Sequence, residues 1–217
     1  MVLWQYACLI SMALFRSKLL ILAAFAAPSA DPVGKLQKSW DEALTYQAQF
    51  KQVILSKQIG SKDENTGILS VAKPDRLRWE SASEGSTQIL NGKKLVNIQE
   101  NKRRKTRTVD VYTDVRKRVG GTALNFLAGK SKFSEVYTVK VLTETRKLVE
   151  MQLTPKKQGD ESMIVELNKP SYLLSALTTE NAESKVRIEF SNIKTNVKLE
   201  DRLFEFKSQP TDVVHEE

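Results

Sequence analysis

Histidine and cysteine are almost missing from this chain: its 217 residues contain one of each. The histidine, His215, stands third from the end, where a loose terminal segment is expected, so no histidine-based nucleophile relay or zinc site can be built around an ordered position. The cysteine, Cys8, has no partner for an internal disulfide, and Gln5-Tyr6-Ala7 before it is too short a lead for a lipidation signal. No Gly-x-x-x-x-Gly-Lys-Ser/Thr phosphate loop occurs. No apolar run reaches the ~20 residues of a spanning helix. The carboxylate pairs Asp63-Glu64 and Asp160-Glu161 lie in polar, turn-like stretches and are expected to face solvent, so nothing sets an acid and a base against a cleft. The expectation is a protein with no catalytic residue, metal or cofactor.

The amino terminus has the pattern of a secretory signal over residues 1–30. Arg16 and Lys18 form a basic region, Leu19 to Ala27 a short apolar one, and Ala24-Phe25-Ala26 or Ala27-Pro28-Ser29 a small-residue cleavage site. A start at Met12 would give a signal of more usual length. The alternative, an uncleaved anchor, conflicts with the short apolar run and with Pro28 and Pro32 directly after it. One domain over residues 31–217 is expected to remain. The whole chain carries 34 basic and 26 acidic side chains, net +8; without Arg16 and Lys18 the count is 32 to 26, or +6. An exported basic surface suits anionic lipid or an acidic protein, not nucleic acid.

Helical periodicity is scarce. Val33, Leu36, Trp40 and Leu44 mark one amphipathic helix, with Asp31 as N-cap and Pro32 at the first helical position. A second short helix is expected over Thr122–Ala128, before Gly129. Elsewhere apolar residues alternate in twelve short runs, from Gln47–Lys57 and Thr66–Lys73 through Lys185–Ser191 to Leu203–Lys207. Asn91-Gly92 reads as the centre of a type I′ hairpin. So many successive strands with so few helices predict a mainly β (α+β) fold. Its antiparallel sheet curls into an incomplete barrel, and a few short helices cover it and enclose an apolar cavity.

The run from Gly67 to Glu80 is the most informative. Leu69, Val71, Leu77 and Trp79 recur by two on strands broken at Lys73-Pro74. Phe50-Lys51-Gln52 precedes it; Leu124 to Gly129, Leu153-Thr154-Pro155-Lys156, Phe204-Glu205-Phe206, Pro210 and Val213-Val214 follow in order. In this order and spacing the chain resembles the LolA-type periplasmic outer-membrane lipoprotein carriers over roughly Leu36 to Val214.

That resemblance implies a monomeric periplasmic carrier. It would take acylated lipoproteins from an inner-membrane lipoprotein-releasing ABC complex and deliver them to an outer-membrane receptor or to the membrane directly. It assigns Phe50, Ile54, Leu69, Val71, Leu77 and Trp79 to an acyl-chain cavity, although a large ring such as Trp79 could equally wedge a filled core shut. It also assigns Lys73 to the place where the family usually has an arginine latching a helical lid; lysine keeps the charge and loses the planar fork of donors. The exposed run Lys102, Arg103, Arg104, Lys105 and Arg107, echoed by Arg116-Lys117-Arg118, is a candidate docking patch for anionic headgroups or an acidic partner. A LolA-like sensor or scaffold that binds a protein partner or another lipid is the alternative reading.

Overall fold

The computed structural model describes residues 31–113, 127, 132–157 and 161–217. The expected signal segment, most of the expected second helix, the basic triplet 116–118 and Asp160 lie outside the described residues. Leu127, within that expected helix, is helical and buried.

Residues Asp31–Glu217 form one compact unit. Helix α1 (Pro32–Glu42) begins as its sequence dictates, with Asp31 Oδ1 accepting from Gly34 N at 3.0 Å and Pro32 in the first turn. Six strands follow: β1 (Thr45–Ser56), β2 (Lys62–Ala72), β3 (Arg76–Ser81), β4 (Ser86–Asn91), β5 (Lys94–Asn101) and β6 (Thr106–Tyr112). A single turn, α2 (Phe133–Val136), leads into β7 (Tyr137–Glu144), β8 (Leu148–Pro155), β9 (Met163–Asn168), β10 (Leu173–Glu180) and β11 (Ser184–Thr195). A 3₁₀ turn (Asp201–Phe204) and β12 (Asp212–Glu216) close the chain. All twelve strands join one sheet in the order β12-β6-β5-β4-β3-β2-β1-β11-β10-β9-β8-β7. Every neighbouring pair is antiparallel except β12 with β6.

The sheet curls, and Trp40 of α1 shows by how much. Its ring lies 4.1 Å from Lys73 Nζ, just past β2, and 6.5 Å from the ring of Phe133, just before β7. In a flat sheet β2 and β7 would be six spacings of about 4.8 Å apart, about 29 Å. One side chain touches both only because the sheet wraps round the helix. The two faces of the strands explain the bend. Tyr46, Phe50, Leu69, Val71, Leu77, Leu90, Leu95, Met151, Val165, Leu174 and Phe190 join Leu36 and Trp40 in one buried cluster. Tyr46 Oη crosses this face to donate to Leu174 O at 3.0 Å, and burial pushes its phenol pKa up. A second cluster, Ile89, Val96, Ile98, Val109 and Val111, lies on the opposite face of β4 to β6 against Phe206. Strands β4 to β6 are therefore apolar on both sides, as the adjacent pairs Ile89-Leu90 and Leu95-Val96 require.

Four expectations are corrected. Leu203–Lys207 is not a strand: Phe204 is buried from a 3₁₀ turn, and the last strand is β12. Exposed Val213 and Val214 give β12 no apolar alternation, so it is held by edge pairing to β6. His215 is consequently on a paired strand, opposite Asp110, and not in a loose end. Asp63 and Glu64 are exposed but lie on β2, where Glu64 bridges Lys51 at 2.8 Å and Lys62 at 2.6 Å. The hairpin after β4 turns on Gly92-Lys93, because Asn91 pairs with Lys94. Gly92 has φ 64° and Lys93 a negative φ, which suits a II′ turn.

Because Trp40 joins distant parts of the sheet, Trp40→Ala is expected to cost about 3–5 kcal/mol of unfolding free energy, as large aromatic deletions in cores do. Urea denaturation measures it. An unchanged midpoint would show that the curl does not depend on this ring.

Candidate functional site

The apolar face beneath α1 is the candidate site, and its glycine explains part of the sequence pattern. Phe50 on β1 pairs with Gly67 on β2, which pairs with Ser81 on β3. With no side chain at Gly67, the Phe50 ring lies across β2 and stacks on Trp79 at 4.0 Å between centroids. A Cβ at Gly67 would run into the Glu80 carbonyl oxygen and come within 2.7 Å of the Phe50 ring. Leu69 pairs with Trp79 and Val71 with Leu77 on the same face.

The six residues assigned to a cavity do share this face, since the registers place Ile54 opposite Asp63 in line with Phe50 opposite Gly67. They are not equivalent. Leu69, Val71 and Leu77 are 0% exposed and Phe50 3%, all within the main cluster. Trp79 is half-buried and packs against it, whereas Ile54 is half-buried at the polar end of the face, two residue pairs beyond Asn65. The side chains of this face that the cavity assignment left out are Leu36 and Trp40 from the helix and the apolar row from β8 to β10. Their alternation was visible, but nothing local indicated that strands so distant in sequence share one face.

Lys73 is the best-defined polar element. Its Nζ donates to the Trp40 carbonyl in the last turn of α1 and lies over the Trp40 ring, while its backbone N donates to Leu44 O at 2.9 Å. A helix leaves its last carbonyls without partners, and a cation at that end also meets the negative pole of the dipole. Asn196, at φ 57°, supplies the next cap: its Nδ2 donates to Glu42 O at 3.1 Å and its Oδ1 accepts from Leu44 N at 2.8 Å. From within the helix, Ser39 Oγ donates to Tyr172 O at 2.8 Å and Gln37 Oε1 accepts from Phe133 N at 2.7 Å. Apart from the apolar contacts of Leu36, Trp40 and Val33, the helix is thus held by a few side-chain bonds and takes no part in the strand ladder.

The basic run divides in two. Lys102 to Lys105 form the exposed β5–β6 turn, with Arg104 N bonded to Asn101 Oδ1. Arg107 is engaged elsewhere: its Nε and Nη2 donate to the two carboxylate oxygens of Asp212 at 2.7 and 2.6 Å, and its guanidinium faces the Phe206 ring. That bidentate pair holds Asp212 below the usual carboxylate range and fastens β12 to β6. Among the described residues no three of His, Cys, Asp and Glu gather as a metal site would need, and no helix is long and apolar enough to cross a membrane.

Residues 41–207 match the model of a protein family described as "Outer membrane lipoprotein carrier protein LolA". A protein named outer-membrane lipoprotein carrier protein from Chromobacterium violaceum is 26% identical over 189 residues, covering 86% of this chain and 88% of the relative. One of the same name from Methylococcus capsulatus is 25% identical over 180 residues, covering 81% and 83%. In three dimensions the chain is similar to an uncharacterized conserved protein from Thermus thermophilus, with a TM-score of 0.51, 12% identity and coverage of 85% and 97%. That likeness concerns the fold alone.

Two outcomes follow from this geometry. Gly67→Ala should destabilise the fold by about 1–3 kcal/mol, the usual cost of overpacking, with loss of the Phe50–Trp79 stacking signal in near-UV circular dichroism. Burial brings the Lys73 ammonium down to about 8 from 10.5, opposed in part by Asp41. Below pH 8 folded and unfolded chains both hold the proton, so the burial cost is fully present. Between pH 8 and 10.5 the folded chain sheds it first, and stability should rise relative to Lys73→Met. Urea unfolding of both proteins across that range tests the sign; a constant difference would mean that the Trp40 carbonyl and ring fully compensate the burial.

Proposed function

Because the chain belongs to the outer membrane lipoprotein carrier protein LolA family, we propose that it is a periplasmic carrier whose apolar face, beneath α1, takes up the acyl chains of lipoproteins. The observation that carries this reading is the roof. An apolar face running from β8 to β6 is covered by an eleven-residue helix that shares no ladder hydrogen bond with it. Leu69, Val71 and Leu77 are fully buried beneath the helix, and acyl chains enter as α1 lifts. The sheet keeps its hydrogen bonds throughout.

The energetics suit transfer. Each methylene taken from water contributes roughly 0.8 kcal/mol, so a chain of about sixteen carbons gains on the order of ten kcal/mol before α1 is displaced. Such cargo does not leave a bilayer unaided, and this chain has no phosphate-binding loop of its own. An energy-coupled inner-membrane ABC complex would load it, and an outer-membrane receptor, or that membrane itself, would receive the cargo. Lys73 acts as the latch, because breaking its bond to Trp40 O frees the C-terminal turn of the roof. No step in this cycle is catalytic.

The test is the rate at which purified variants pass a labelled lipoprotein to acceptor membranes, with thermal melts as folding controls. Lys73→Arg should slow release, since a planar fork adds donors toward the helix carbonyls, and Lys73→Leu should speed it. Equal rates for all three proteins would remove the latch. Independently, Leu69→Glu should abolish binding of a fluorescent fatty acid. Trp79→Ala, which buries no charge, should weaken it about tenfold; parent-like affinity in a folded Trp79→Ala variant would place the acyl site elsewhere.

A further inference from the structure

The outer side of α1 carries a second feature, distinct from the apolar face. A cleft of about 490 Å³ lies between this side and the turns joining β7 to β8 and β9 to β10. Three separate stretches of chain bring cations to it: Lys35 and Lys38 from α1, Arg146 from the first turn and Lys169 from the second. One lining carboxylate, Glu42, accompanies them, 3.8 Å from Lys38. Lys169 is committed to Glu144 at 2.5 Å and to Thr145 O at 2.9 Å.

Several cations on the strands are matched by carboxylates. Glu64 lies between Lys51 and Lys62, Glu180 between Lys57 and Lys185, and Arg187 reaches both Glu166 and Glu189. The cleft departs from that habit. No carboxylate of the described residues pairs with Lys35 or Arg146; Lys35 Nζ meets only the hydroxyl oxygen of Tyr172, at 3.2 Å, and the face of its ring. Tyr172 is itself unusual, a buried aromatic residue at φ 55°, a conformation that a bulky side chain adopts only when its surroundings enforce it. That backbone turns the Tyr172 carbonyl to Ser39 Oγ and its hydroxyl to Lys35, leaving the hydroxyl proton free to point into the cleft.

We propose that this cleft binds a phosphoryl oxyanion, as a lipid headgroup or as a soluble phosphate ester. Lys35 and Arg146 supply the counter-charge, and the Tyr172 hydroxyl donates a further hydrogen bond. A compact anion in a recess matches this arrangement, because Arg offers a fork to two phosphate oxygens and Lys a point charge to a third. Since the ligand would bridge α1 to the two turns, its binding pins the helix to the sheet from outside. This is independent of whether acyl chains bind beneath.

The experiment is amide-resolved NMR titration of the protein with glycerol 1-phosphate and with inorganic phosphate at fixed ionic strength, so that general screening cancels. A parallel arm measures co-sedimentation with vesicles of phosphatidylglycerol against phosphatidylcholine. The expected result is saturable shifts at Lys35, Ser39, Arg146 and Tyr172, weakened about tenfold or more by Lys35→Gln with Arg146→Gln. Lys93→Gln with Lys94→Gln, which removes the same charge at the exposed β4–β5 turn, should leave binding unchanged. Loss of vesicle binding in the first double variant identifies a headgroup as the source; loss confined to the soluble ligands identifies a free phosphate ester. Equal weakening by both double variants, or no saturable binding in either arm, overturns the site. Acyl-probe binding is read alongside, so failure here and failure of the carrier reading are separable.

Discussion

Everything in this protein turns on the contact between Trp40 and the sheet that wraps it. A twelve-stranded, mostly antiparallel sheet with one continuous apolar face cannot stay flat in water, and the few helices of the described residues give it little cover. Curling brings Lys73 and Phe133 onto one indole ring. Burying that ring stabilises the curl, and the curl defines the face beneath the helix. The Lys73–Trp40 contact, the covering helix and the apolar row are therefore consequences of one packing event.

The same constraint separates what is rigid from what can move. Strand β1 pairs with β2 over eleven residues in register and with β11 over eight beyond a bulge, and the Arg107–Asp212 pair fastens the parallel strand β12 at one edge. The roof has no such ladder. Lys73 and Asn196 hold its C-terminal end, and from within the helix Ser39 bonds Tyr172 O and Gln37 bonds Phe133 N, each through a single side chain whose bond can exchange with water. The proposed uptake of long apolar chains would use this division: a ladder that stays closed and a cover held by the packing of Leu36 and Trp40 and by single side-chain bonds.

Much of this was legible in the sequence. The alternation of Leu69, Val71, Leu77 and Trp79, the cap Asp31-Pro32 and the helical spacing of Leu36 and Trp40 all fixed local structure correctly, because burial on one face imposes a period. What failed had no period to read. Strand β12 is exposed on both sides and exists through its edge pairing, so Phe204-Glu205-Phe206 looked more strand-like than the true strand. Asp63-Glu64 looked turn-like because pairing to β1 and the cross-strand Lys51–Glu64 bridge, not apolar alternation, hold that stretch in β2. Arg107 looked like one more charge in a basic run, since nothing near it in sequence announces Asp212. Lys73 was placed by resemblance, and its target, the Trp40 carbonyl, is an atom that no side-chain pattern encodes.

The central claim is that the face beneath α1 exists to hold acyl chains in transit. Native mass spectrometry of the protein isolated from its own cell envelope tests it most directly. The account predicts a population carrying acylated cargo, which Leu69→Glu shifts to the bare chain. The bare chain alone in every preparation, together with no uptake of acylated peptide added to the purified protein, would contradict it.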